Sequence, residues 1–159
     1  MTEVPTVDFS VAAEWRDVIQ LNHSPEAVKR LRNWLRDHPE NIVRLYHGTA
    51  ADLPVLREGL LPTSRSRRRN RQSRSGFVYL SIFPSYARTF AQMGYPRQPT
   101  TVYQVELPVR MLCANLEQLA NKRLWDGMRV GNSLAESIAI IHGVRVAGAV
   151  PLWAIKVLS

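Results

Sequence analysis

The sequence predicts an α+β fold, with a short helical lead over residues 1–41 and one compact body over residues 42–159. The lead shows apolar residues at helical spacing. From residue 42 onward, β-branched and aromatic runs outnumber helical ones. The connections between those runs are too short for a series of strand–helix–strand crossovers, so an antiparallel, split or mixed sheet is expected, not a doubly wound one.

Within the lead, Ser10 is placed to cap a short helix carrying Val11, Ala12, Trp15, Val18 and Ile19. Ser24 is a natural N-cap for a second helix. Pro25 suits its first position, and Glu26 lies beside the positive end of the dipole. Val28, Leu31, Trp34 and Leu35 make one apolar stripe, with Lys29, Arg30, Arg32 and Arg36 facing elsewhere. Pro39 ends this helix by disfavouring helical geometry at His38.

In the body, "IVRLYH" from residue 42 reads as a strand, and "DLPVLREG" as one or two helical turns closed by Gly59 in a left-handed C-cap. "GFVYLS" is a strand. "PSYARTFAQM" is a helix opened by Pro84, with Tyr86, Ala87, Phe90 and Ala91 turned inward. "TTVYQVELP" alternates as a strand should, and "NLEQLANKRL" is a short helix capped by Asn115. "ESIAIIHG", "VRVAGAV" and "LWAIKVL" are three further strand candidates.

Composition narrows the class. Hydrophobic residues form 45% of the 159, which excludes global disorder and supplies one sizeable core. No apolar run approaches the roughly 20 residues that cross a bilayer. "MTEVPTVDFS" lacks a basic start followed by an apolar stretch, so no secretory signal and no membrane partner are expected. Cys113 is the single cysteine, which leaves no intramolecular disulfide and argues against a cysteine-based metal site. A reduced, cytoplasmic setting follows as the expectation.

The formal charge of +8 is concentrated in "SRSRRRNRQSRSG", residues 64–76. There Arg65, Arg67, Arg68, Arg69, Arg71 and Arg74 stand with no acid among them. Such a run is either a solvated loop or a contact for an anion, nucleic acid or a nucleotide pyrophosphate, since the planar guanidinium matches phosphate oxygens. No aromatic interrupts it, so it offers charge and not a base-stacking platform. The phosphate-loop, dinucleotide-fold and zinc-protease patterns are absent.

"LYHGTAADLPVLREGLLP", "GFVYLSIFPSYARTFA" and "TVYQVELP", in that order, resemble the ADP-ribosyltransferase superfamily over about residues 42–158. The likeness is greatest to its His-Tyr-Glu branch, which includes poly(ADP-ribose) polymerases, the rifampin-modifying enzyme and DNA-modifying bacterial toxins. The resemblance implies a split-sheet fold and NAD as the substrate. It implies that His47 bonds a ribose of NAD and that Gly48 presents its backbone to the nicotinamide carboxamide, with Thr49 beside it. The absence of a Cβ at Gly48 then admits the ligand. It implies further that Tyr79 packs on the nicotinamide, with Ser81 and Phe90 lining the same pocket. The catalytic acid is one of the four after Tyr79: Glu106, Glu117, Asp126 and Glu136. Glu136 is expected to be that acid, because it opens a strand-like run near the C-terminus, where the family places its glutamate. Taken singly, each residue also has a plainer reading: a packed histidine, a core tyrosine, a sheet-edge acid paired with arginine.

The chemistry suits these residue types. Cleaving nicotinamide from ribose leaves an oxocarbenium-like centre, and a nearby carboxylate binds the 2′-hydroxyl and stabilises the developing charge. Fixed riboses and a clamped nicotinamide then present one face to the acceptor. No metal is needed. The arginine run is placed to contact the pyrophosphate or to select an anionic acceptor, protein or nucleic acid, and the family likeness admits a toxin or phage effector. Two other readings remain open. RNA 2′-phosphotransferases share "YHGT" and a "GV … VP" ending resembling "HGVRVAGAVPLWAI". A catalytically inactive basic module for nucleic acid or a protein complex is the second.

Overall fold

The computed structural model describes residues 4–19, 24–62 and 76–158. The chain begins with β1 (Thr6–Val7), a 3-10 turn at Ala13–Trp15, α1 (Arg16–Ile19) and α2 (Pro25–Asp37). β2 (Ile42–Ala50), α3 (Val55–Glu58), β3 (Phe77–Ser81), α4 (Pro84–Gly94) and β4 (Thr100–Pro108) follow. The last part holds β5 (Cys113–Ala114), α5 (Leu116–Trp125), α6 (Leu134–Glu136), a π-helical stretch Ser137–Ile141, β6 (Gly143–Ala147) and β7 (Ile155–Val157).

Among the described residues the strands form one seven-stranded sheet, in the order β5-β6-β3-β2-β4-β7, with β1 added to β2. Every pairing is antiparallel except β1 with β2. This is the expected α+β architecture with a mixed, mainly antiparallel sheet. β2 and β4 pair along their whole length, from Ile42↔Pro108 to Ala50↔Thr100. β2 and β3 behave differently, because their register is the single pair Tyr46↔Ser81. β1 takes the same edge of β2 at Ile42 and Val43. The sheet therefore divides between β2 and β3.

One apolar cluster lies on one face. Val43, Leu45, Val105 and Leu107 of the β2–β4 pair join Val78, Leu80, Val144 and Val146 of β3 and β6. Val18, Ile19, Leu31 and Leu35 of the lead close over them. The lead is thus part of the same core. Its first residues form a strand, Ile42 N–H donates to the Pro5 carbonyl at 3.1 Å, and Phe9, Trp15 and Trp34 meet edge-to-face. α2 is capped as expected, Ser24 Oγ accepting from Ala27 N–H at 3.2 Å. Ser10 is not a cap; its backbone N–H and its hydroxyl both bond Asp8.

The other face carries α4, and its packing corrects the expected inward set. Ala87 and Ala91 are buried, whereas Tyr86 is 42% and Phe90 53% exposed. The reason is how closely the helix approaches β2. A Cβ on Gly48 would lie 2.1 Å from the Ala87 carbonyl oxygen and 2.8 Å from the Ala91 Cβ. Only small residues fit on that contact line, and Phe90, about 100° around the helix from Ala91, is turned outward.

"ESIAIIHG" is also corrected. It is helical, not a strand, from Leu134 through Ile141. Ser133 and Glu136 form a capping box: Ser133 Oγ accepts from Glu136 N–H at 3.1 Å and donates to Oε1 at 2.7 Å. The continuous apolar run that follows has no two-residue alternation, so its period favours neither element. "LWAIKVL" yields a 3-10 turn at Leu152–Ala154 before the short β7. Gly59 closes α3 with φ +80 and ψ −176, a positive but extended geometry, and a Cβ there would meet the Val150 carbonyl oxygen at 2.5 Å. Among the described residues, no helix is long and apolar enough to cross a membrane.

Candidate functional site

The division between β2 and β3 positions the first functional side chain. If the ladder continued beyond Tyr46↔Ser81, Gly48 would stand opposite Tyr79. Instead the His47 imidazole reaches across and Nδ1 bonds the Tyr79 carbonyl oxygen at 2.7 Å. A carbonyl only accepts, so Nδ1 carries the proton and Nε2 keeps its lone pair. Burial holds His47 below the usual histidine pKa, outweighing the opposing effect of the Tyr79 carbonyl. The ring is therefore neutral at pH 7, and Nε2 is an acceptor for a hydroxyl.

β3, β6 and β5 carry the next group. Tyr79 stands opposite Arg145, and Arg145 opposite Cys113, so the three side chains share one face. The Tyr79 hydroxyl donates to Glu117 Oε2 at 3.3 Å, and Arg145 Nη1 donates to Glu117 Oε1 at 2.7 Å. Glu117 lies in the first turn of α5, which Asn115 caps by accepting from Gln118 N–H at 3.2 Å. The Arg145 Cζ sits 3.9 Å from the centroid of the Phe77 ring, two residues from Tyr79 on the same strand face. The side chains of Arg145 and Glu117 are only 8% and 13% exposed.

The expected residues fall in different places. The His47 ring meets the main-chain carbonyl of Tyr79, while the Tyr79 phenol turns to Glu117. Glu136 has other work: Gly131 N–H and the Ser133 hydroxyl take its two oxygens, and Arg32 of α2 stands 3.8 Å away. Desolvation pushes its carboxyl up, but the bonds from Gly131 and Ser133, with the Arg32 charge, outweigh that and leave it below the usual range. The carboxylate that meets the Tyr79 phenol is Glu117. Gly48 has a sufficient reason in the packing of α4, and Phe90 stands on the exposed side of that helix. Ser81 and Thr49 are buried in the ladders, opposite Tyr46 and Thr101. Arg65, Arg67, Arg68, Arg69, Arg71 and Arg74 lie outside the described residues.

Two signals could have found the missed residues. The S-x-x-E spacing of Ser133 and Glu136 marks a helix start. An arginine inside "GVRVAGAV", an otherwise apolar strand, requires a buried partner. Among the described residues, no group of three or more His, Cys, Asp or Glu side chains is placed to hold a metal ion. The chain matches no protein-family model, no curated protein and no solved structure.

Proposed function

We propose that this protein is an NAD-dependent mono-ADP-ribosyltransferase acting on a macromolecular acceptor, with His47, Tyr79 and Glu117 as its central residues. The observation that carries the reading is the bridge at the divided sheet. A neutral imidazole on β2 is bonded to the main chain of the residue whose phenol, on β3, contacts a carboxylate. In this reading His47 Nε2 accepts a hydrogen bond from a ribose hydroxyl, and the Tyr79 ring packs on the nicotinamide. Glu117 accepts from the 2′-hydroxyl and stabilises positive charge as the bond from C1′ to the nicotinamide nitrogen breaks. Nicotinamide leaves with the electron pair, the acceptor nucleophile bonds C1′, and its proton passes to the Glu117 carboxylate. The arginines of residues 64–76 meet the anionic part of the acceptor.

Nicotinamide release and transfer of label from NAD are measured with protein, DNA and RNA acceptors. Glu117→Gln keeps the shape but removes the charge, so turnover falls by about 10²–10³, the scale of one lost electrostatic stabiliser. Glu136→Gln leaves turnover unchanged. Wild-type protein that neither binds NAD in calorimetry nor releases nicotinamide with any acceptor would end this reading and favour a binding module.

A further inference from the structure

We propose that one outward flank of α4, formed by Tyr86, Phe90 and Met93, is a stacking surface for the bases of a single-stranded nucleic acid. The surface stands on exposure and charge; that the bound strand is the acceptor rests on the function proposed above.

Tyr86, Phe90 and Met93 stand at i, i+4 and i+7 of α4, so they form one line about 10 Å long. They are 42%, 53% and 72% exposed. The helix cannot turn to bury them. Ala87 and Ala91 face β2, and a Cβ on Gly48 would already strike the Ala87 carbonyl, so a phenyl ring has no room on that contact line. The Tyr86 ring is braced: its centroid lies 5.1 Å from that of Phe83 and 5.8 Å from that of His142. Its plane is set before a base arrives, which lowers the entropic cost of stacking on it.

Charge names the occupant. Between Glu58 and Glu106 the chain carries eight arginines, no lysine and no acid. The remainder holds thirteen bases and thirteen acids, so the whole formal charge of +8 belongs to this stretch. Six of the eight lie outside the described residues and form no part of the site. Arg88 and Arg97 are exposed. At 100° per residue, Arg88 stands on the opposite flank of α4 from the stripe, with Thr89 between them. A strand with its bases on the stripe directs its phosphates across Thr89 toward Arg88, and the guanidinium fork matches phosphate oxygens. The arginine-rich run of residues 64–76 contains no aromatic side chain; α4 supplies the rings it lacks. Two other occupants fit less well. A second copy seated on this face would bring two acid-free stretches together, like charge against like. A membrane surface takes a broad apolar face, whereas exposed Ser85, Thr89 and Gln92 narrow this one to three side chains.

The test measures fluorescence anisotropy of labelled single-stranded DNA and RNA, about 12 nucleotides long, against the full chain over a range of salt. Tight binding to one of the two identifies which nucleic acid is the partner, and a duplex of the same sequence, whose bases are already stacked, binds more weakly. Phe90→Leu keeps an apolar side chain but removes the ring. It lowers single-strand affinity about fivefold to a hundredfold, the worth of one stacked base, and leaves the salt slope unchanged. Phe90→Trp restores the affinity. Arg88→Ser with Arg97→Ser weakens binding and makes the salt slope shallower. Met93→Ser, at the most exposed position of the stripe, repeats a smaller loss if Phe90→Leu does not keep the wild-type circular dichroism. Wild-type affinity in a folded Phe90→Leu overturns the proposal, because charge alone would then hold the strand. Binding to vesicles of phosphatidylserine and phosphatidylcholine with no oligonucleotide bound overturns it for a membrane surface, and a dimer that Phe90→Leu disperses overturns it for a second copy. The two readings fail separately. Oligonucleotide binding that depends on Phe90, with no NAD binding, sinks the transferase alone. Transfer from NAD to protein acceptors with no oligonucleotide bound sinks the stacking surface alone.

Discussion

Gly48→Ala distinguishes two reasons for the glycine after His47. One is access for a ligand; the other is the approach of α4. Adding one methyl group puts a carbon 2.1 Å from the Ala87 carbonyl oxygen, 2.8 Å from its carbonyl carbon and 2.8 Å from the Ala91 Cβ. The first two are helix backbone and cannot rotate away, so α4 must move by about an ångström to restore ordinary contact. Overpacking of this kind costs about 1–3 kcal/mol, and a main-chain clash belongs at the upper end. Replacing glycine in a strand returns roughly 0.5–1 kcal/mol through chain entropy, leaving a net loss of about 2 kcal/mol. For a domain of this size that lowers Tm by about 4–8 °C. Urea unfolding without ligand, followed by circular dichroism, reads the change in midpoint at constant slope. Ala91→Gly added to Gly48→Ala recovers only part of the loss, because the Ala87 carbonyl remains in place. Stability within about 0.5 kcal/mol of wild type, together with lost NAD binding, would refute the packing argument and return the glycine to the ligand.

Two further predictions follow from buried groups. The Tyr46 phenol, buried and donating to Asp8 Oδ2 at 2.7 Å, has its pKa raised from 10.0 to about 12, first by desolvation and then by that bond. The folded value exceeds the unfolded one, so this contribution to stability is full below pH 10 and is lost as pH rises through 12. In a phenolate absorbance titration, one of the five tyrosines therefore ionises late, and Tyr46→Phe removes that step. A late step that survives Tyr46→Phe contradicts the assignment. Glu117→Ala leaves the buried Arg145 unpaired and costs about 3–5 kcal/mol in urea unfolding, while Glu117→Leu with Arg145→Met recovers most of it. A loss under about 1 kcal/mol in the single variant would mean that water already solvates the guanidinium.

Local chemistry made much of the fold legible. The Ser24–Pro25 start of α2, the alternation of Thr100–Pro108, the Asn115 cap and the mainly antiparallel sheet all depend on residues within a few positions of one another. The run after Glu136 is ambiguous by period, because a continuous apolar stretch suits a buried helix as well as a strand; the Ser133–Glu136 capping box decides for the helix. His47 and Tyr79 could be singled out because each stands at the end of, or within, a strand with a distinctive motif.

By itself the amino-acid order determined the elements whose caps and alternation are local, such as α2, β4 and α5, since propensity, capping and periodicity act over a turn or two. Only the tertiary structure decided that Glu117 and not Glu136 meets the phenol, that Arg145 bonds the same carboxylate, that β2 and β3 part after one pair, and that α4 needs the bare Gly48. Those outcomes depend on strand order and helix crossing, which place residues tens of positions apart within hydrogen-bond distance, and no local pattern specifies such distances.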